Sequence, residues 1–154
     1  MREYDVVVFG ASGFTGRLVA EYLANKEGDH RWAIAGRNVQ KLEQVKAGLL
    51  ELNPELNLDV LIADSFDAEA LRTIARKTKV VATTVGPYMK YGAHLVKICV
   101  EEGTDYCDLT GETPFIREMI DAHHAQAVKM QCKIVHCCGF DSIPSDLGCW
   151  MMQQ

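Results

Sequence analysis

The sequence predicts a doubly wound α/β domain: a mostly parallel six-stranded sheet with helices on both faces. Three observations carry this expectation. Short β-branched apolar runs alternate with longer amphipathic segments along the whole chain. The runs are continuously apolar, as strands covered on both faces should be. A turn spaced Gly-x-x-Gly-x-x-Gly joins the first run to the first amphipathic segment.

Taken in order, Tyr4–Phe9 reads as a strand and Phe14–Asn25 as a helix, with Leu18, Val19, Tyr22 and Leu23 on its inner face. Trp32–Ala35 is the second strand, and Val39–Leu52 a helix burying Leu42, Val45 and Leu49. Leu58–Ala63 is the third strand, followed by a helix over Asp67–Lys77 with Leu71 and Ile74 inward. The second half repeats the scheme. Val80–Thr84 is a strand, and Gly92–Glu102 a helix stopped by Gly103. Tyr106–Leu109 is a short strand. Pro114–Met130 is a long helix with Pro114 in its first turn, where a missing N–H costs nothing, and with Ile116, Met119, Ile120 and Val128 inward. Lys133–Cys137 is the sixth strand, and a last helix begins near Pro144.

Residues 1–149 are therefore expected to form one dinucleotide-binding domain. Trp150, Met151 and Met152 are large and apolar, so 150–154 read as the start of a continuation toward a substrate domain that this chain lacks. The net charge of −5 argues against nucleic-acid binding by bulk electrostatics. No apolar run approaches the roughly 20 residues that span a bilayer. Glu3 and Asp5 stand where a signal peptide carries positive charge. With no secretion signal, the six cysteines read as buried thiols in a reducing compartment, and the expected location is cytoplasmic.

The strongest functional signal is Gly10-Ala11-Ser12-Gly13-Phe14-Thr15-Gly16, lying between a strand and a helix. Gly10 permits the tight turn, Gly13 lets a diphosphate approach the backbone, and Gly16 lets the helix pack close to the sheet. The helix N-terminus offers free N–H groups and a positive dipole end to the diphosphate, and Ser12 and Thr15 add hydroxyls. An NAD site usually places an acid about 20 residues past the glycines, on the adenosine ribose. Gly36-Arg37-Asn38 stands there instead, with no carboxylate between Arg31 and Leu42. Arg37 can fork onto a 2′-phosphate, so NADP is the expected cofactor and NAD the lesser one. Asn38 joins it at the adenosine ribose.

Asp64 ends the third strand, where it reaches adenine or caps the following helix. Val85-Gly86-Pro87-Tyr88 follows the fourth strand at the ligand-binding edge of the sheet, on the nicotinamide side. Asp141 and Ser142 follow the sixth strand; they either cap the last helix or face substrate. The histidines and cysteines lack zinc spacing, so no metal site is expected. Tyr22 and Lys26 match a Tyr-x-x-x-Lys spacing but lie on the first helix, beside the sheet. Tyr22 reads as core and Lys26 as a charge favourable to the helix dipole.

Together, Val8–Gly16 with Ala35-Gly36-Arg37, Val85–Tyr88, Asp108-Leu109-Thr110-Gly111-Glu112 and Gly139–Gly148 resemble the saccharopine dehydrogenase-like oxidoreductases, including the related trans-acting enoyl reductases. The similarity covers nearly the whole chain. The glycine turn is shared by many families; the later three motifs in this order are far more specific. The resemblance implies a Rossmann-type NAD(P)-binding domain of a two-domain oxidoreductase. The second domain would supply the substrate pocket and often the oligomer contacts, and hydride would go to an imine or an enoyl substrate. No catalytic acid or base is assigned within this chain, and the chain alone is expected to be inactive. Two other readings stand beside this one: a non-catalytic dinucleotide-sensing module and a one-domain reductase or epimerase of the short-chain type.

Overall fold

The computed structural model describes residues 2–28 and 30–154. Six strands alternate with helices: β1 (Tyr4–Phe9), α1 (Phe14–Asn25), β2 (Trp32–Gly36), α2 (Val39–Leu52), β3 (Asp59–Ile62), α3 (Ala68–Lys77), β4 (Thr78–Thr83), α4 (Tyr88–Tyr91), α5 (Ala93–Glu102), β5 (Asp105–Asp108), α6 (Thr113–Met130), β6 (Ile134–Val135) and α7 (Ile143–Met151). The strand order is β3-β2-β1-β4-β5-β6, and every pairing is parallel. The chain thus winds one way from β1 to β3, then crosses to the other side of β1 through β4. All strand ends exit on one rim, and the order reverses between β1 and β4. Ligands of such sheets bind in the crevice at that point.

Alternation along the central strands feeds two cores. Val7 and Phe9 join Ala33, Ala35 and Val81 under α3, α5 and α6, where Leu71, Leu95, Val96 and Phe115 are fully buried. Val8 and Ile34 turn to the other face, under Ala20, Leu42 and Leu49 of α1 and α2. Helices cover both faces, which explains why the strands are continuously apolar.

The structure corrects several expectations. Helix α1 packs through Gly16, Ala20 and Ala24, while Leu18 is 50% and Tyr22 65% exposed. Small residues four apart let the helix backbone lie close to the sheet, which pushes the large neighbours outward. Tyr22 is therefore not core, and the Lys26 ammonium stands 6.0 Å from its ring centre. Ile120 and Val128 of α6 also face solvent, whereas Phe115 and Met119 are buried. Strand β4 starts at Thr78, directly after α3, and α5 is preceded by the short α4. Strand β6 keeps only two residues. Cys137 then adopts φ 63°, which ends the extended run. All six cysteines are free thiols; Cys99 and Cys132 are buried, but Cys138 and Cys149 are exposed. No helix among the described residues is long and apolar enough to cross a membrane.

Candidate functional site

The crevice predicted by the strand order is present. A cleft of about 410 Å³ opens over β1, β2 and β4, lined by Gly10, Ser12, Gly13, Arg37, Asp64, Val85, Gly86 and Pro87 among others. That volume lies within the ~300–1,000 Å³ usual for small-molecule sites.

Its floor is the glycine turn. Gly10 adopts φ +93°, and a Cβ there would stand 2.6 Å from Val85 Cγ2. Gly13 donates to the Gly10 carbonyl at 2.9 Å, closing the turn, and becomes the N-cap of α1. No side chain caps that helix. Its first-turn N–H groups therefore remain open to a ligand, and the dipole favours an anion. The neighbouring helices differ in this respect: Asn38 caps α2 through the Lys41 N–H at 2.9 Å, and Asp67 caps α3 through the Ala70 N–H at 3.0 Å. The one uncapped helix start of the three is the one that faces the cleft. At Gly16 a Cβ would overlap the Gly10 carbonyl oxygen, so glycine is obligatory for the close approach.

One end of the cleft is marked by Arg37, whose side chain is 76% exposed. The sequence shows no acid beside it, but the β2–β3 pairing brings one there: Asp64 Oδ2 stands 4.0 Å from Arg37 Nη1. Asp64 does not cap α3, since Asp67 does; its Oδ1 accepts from the Phe66 N–H at 3.0 Å. Asn38 spends its side-chain oxygen on the α2 cap and does not line the cleft.

The other end is the β4–α4 loop. Val85, Gly86 and Pro87 form the wall, and the Gly86–Pro87 bond is cis. Tyr88 is 4% exposed and turned inward. Its hydroxyl donates to the Thr83 carbonyl at 3.1 Å and its ring lies 5.9 Å from Phe115. Burial pushes its phenol up to about 12. Tyr91, one turn later, lines the cleft instead. The spacing of the two tyrosines gives no signal of this, since residues three apart on a helix share a face. Thr84 and Ser65 also line the cleft. Thr84 donates its N–H to the Phe9 carbonyl at 3.0 Å and thereby seals β4 against the turn.

Phe14 and Thr15 are exposed on the first turn of α1 and do not line the cleft. Asp141 and Ser142 follow β6, with β4 and β5 between their strand and β1, and do not line the cleft. Neither caps α7 through its side chain, because Ser142 is the N-cap and makes no such bond.

A second polar cluster joins the ends of β5 and β6. Asp108, 3% exposed, accepts from Tyr106 Oη at 2.8 Å, the Thr110 N–H at 3.1 Å and the Cys137 N–H at 3.2 Å, and shares a 2.6 Å contact with His136 Nδ1. Burial, with Asp108 beside it, pushes the Tyr106 phenol far above its ordinary value. No set of three His, Cys, Asp or Glu among the described residues is arranged to hold a metal ion.

Residues 6–135 match the saccharopine dehydrogenase NADP binding domain. The protein belongs to that family. This NADP-binding domain is 46% identical over 151 residues to a trans-acting enoyl reductase of Mycobacterium leprae, and 44% over 152 residues to one of Mycobacterium tuberculosis. A further Mycobacterium tuberculosis protein named for trans-acting enoyl reduction is 48% identical over 151 residues. In each case 98% of this chain aligns with 36% of the relative, so the domain spans about a third of these proteins. In fold it resembles the saccharopine dehydrogenase (L-Glu forming) of Saccharomyces cerevisiae, with TM-score 0.71 at 22% identity over 90% of this chain and 28% of that one.

The residues of the cleft suit the cofactor for which the family is named. An uncapped helix start and a glycine floor fit a diphosphate, and an exposed arginine at one end fits a phosphorylated ribose.

Proposed function

We propose that this domain holds NADPH for an enoyl reductase, in which hydride passes to a carbon–carbon double bond. Support for the enoyl class over an imine comes from the relatives named as enoyl reductases at 44–48% identity. Likeness to saccharopine dehydrogenase at 22% identity speaks to fold alone. The observation that carries the cofactor reading is the cleft, with the uncapped start of α1 on its floor and Arg37 at its edge.

Each group has a stated task. The first-turn N–H groups of α1 hold the diphosphate, with the Ser12 hydroxyl as a further donor, while Gly10 and Gly13 let it approach the turn closely. Arg37 recognises the 2′-phosphate, and Asp64 lies within reach of the adenosine moiety. Val85, Gly86 and Pro87 bound the nicotinamide half. When bound, NADPH supplies the hydride, and the protein supplies position and electrostatics. In an enoyl reduction the hydride would bond to the β-carbon and a proton to the α-carbon, giving a saturated product and NADP⁺. The proton donor is not assigned to any residue of this chain. Tyr22 and Lys26 do not support the short-chain alternative, since Tyr22 is exposed on α1, Lys26 is exposed just past its end, and neither lines the cleft.

The test is to mix the full-length protein that carries this domain with NADPH and either an enoyl thioester or a cyclic imine, and to follow cofactor oxidation. Oxidation with the thioester alone supports the proposal. Oxidation with the imine alone overturns the substrate class while leaving the cofactor role intact. Failure to bind NADPH overturns both.

A further inference from the structure

The Val85–Pro87 wall of the cleft is held from outside by a residue that does not line it. Glu112 lies just before α6, half-buried, and its carboxylate reaches back to the start of α4. Oε1 accepts from the Tyr88 N–H at 2.6 Å and Oε2 from the Met89 N–H at 2.8 Å. Both oxygens are thus spent on two successive backbone donors. These are charge-assisted bonds, about twice as strong as neutral ones.

Glu112 is itself anchored. Its N–H donates to Thr110 Oγ1 at 3.0 Å, and the Thr110 N–H donates to Asp108 Oδ1 at 3.1 Å. Asp108 is buried, and its carbonyl accepts from the Cys138 N–H at 2.7 Å. The loop after β5 is therefore pinned to the sheet, and Glu112 transmits that fixity to the loop after β4. Tyr88 secures the same joint from below: its hydroxyl, bonded to Thr83, lies 3.5 Å from the Leu109 N–H.

We propose that Glu112 is a positioning residue for the nicotinamide half of the cofactor, acting through the Tyr88 and Met89 N–H groups on the wall Val85–Pro87. The inference rests on the cofactor reading given above. It makes a distinction that general stability does not: the adenosine end, built by β2 and β3, shares no hydrogen bond with Glu112. Loss of the grip loosens one end of the cleft only.

The experiment measures calorimetric affinities of the 154-residue chain for NADPH and for 2′,5′-ADP, which carries the adenosine and 2′-phosphate but no nicotinamide. Both are measured for the unaltered chain, Glu112→Gln and Glu112→Ala, with thermal unfolding alongside. Glu112→Gln keeps the size and one acceptor oxygen, so it retains the fold. Glu112→Ala is expected to weaken NADPH about tenfold, and Glu112→Gln by less, the loss of charge-assisted bonds being transmitted through one loop. Affinity for 2′,5′-ADP stays within about twofold of the unaltered chain, near the additive behaviour of distant sites. Equal losses for both ligands, or no loss for NADPH in either variant, overturn the positioning role alone. An unaltered chain that binds neither ligand overturns the cofactor reading and this inference with it.

Discussion

Arg37 and Asp64 face each other 4.0 Å apart across the ends of two adjacent strands, one basic and one acidic group on the lining of the cleft. Both are well exposed, so the pair itself contributes little to stability. Its consequence is for the ligand. A 2′-phosphate brought to Arg37 also meets the Asp64 carboxylate.

Arg37 and Asp64 should therefore act in opposite directions. Replacing Arg37 with Ala is expected to weaken NADPH about tenfold or more and leave NADH nearly unchanged, a charge-assisted bond being worth ~1.5–3 kcal/mol. Asp64→Asn is expected to tighten NADPH by no more than about fivefold, because exposed charges interact by less than ~1 kcal/mol. Titrations with both cofactors at one salt concentration decide it. Equal affinity of the unaltered chain for NADPH and NADH would return Arg37 to the role of a solvated surface residue.

Two glycine-to-alanine changes should move stability in opposite directions. At Gly16 the added methyl overlaps the Gly10 carbonyl oxygen and stands 2.7 Å from Thr84 Oγ1. Overpacking of this kind costs about 1–3 kcal/mol, and here it also deforms the glycine turn. Gly48 lies within α2, and a methyl there meets nothing within 4 Å. Gly48→Ala should gain about 0.5–1 kcal/mol from helix propensity. Urea unfolding of both variants checks the contrast; a stabilising Gly16→Ala contradicts the packing account.

Asp108→Asn tests the buried cluster. The amide replaces one accepting oxygen with a donor, facing Tyr106, His136, Thr110 and Cys137. An unmatched buried polar group of this kind should cost about 2–4 kcal/mol. Thermal unfolding should fall by at least about 4 °C, and an unchanged midpoint rejects the idea.

Acid should release another tie. Glu102 bridges Arg76 and Arg72 at 2.8 Å each, joining α5 to α3. Arg76 first, and then Arg72, hold its carboxyl below the usual carboxylate range. A depressed folded-state value means that the stabilisation is complete above the unfolded value and is lost as pH falls through the folded one. The stability gap between the unaltered chain and Glu102→Gln should thus be full at neutral pH. It should close below about pH 4, near the ordinary glutamate value. A gap independent of pH contradicts the assignment.

Local signals alone made much of this protein legible. The strand–turn–helix at Val6–Gly16 is contiguous, and its glycines serve a turn only a few residues long. The strand and helix alternation settled the winding, and winding settled the rim on which the loops at Gly13 and Gly86 meet. The position of Arg37 was readable for the same reason, as it directly follows the second strand.

What stayed hidden depends on register or on helix rotation. Asp64 became Arg37's neighbour only when β3 paired with β2, with Gly36 opposite Ile62. Glu112 found Tyr88 and Met89 across 24 and 23 residues, and Asp108 met His136 across 28. No periodicity encodes such meetings. Tyr22 and Leu18 looked inward because large apolar residues normally mark the buried stripe of a helix. On α1 the turn demanded closer approach than they allow, so Gly16, Ala20 and Ala24 took the inner face. The sequence by itself determined the order of elements and the glycine turn. Which side chains meet around that turn was decided by the tertiary structure, because close packing and strand pairing join residues that are far apart along the chain.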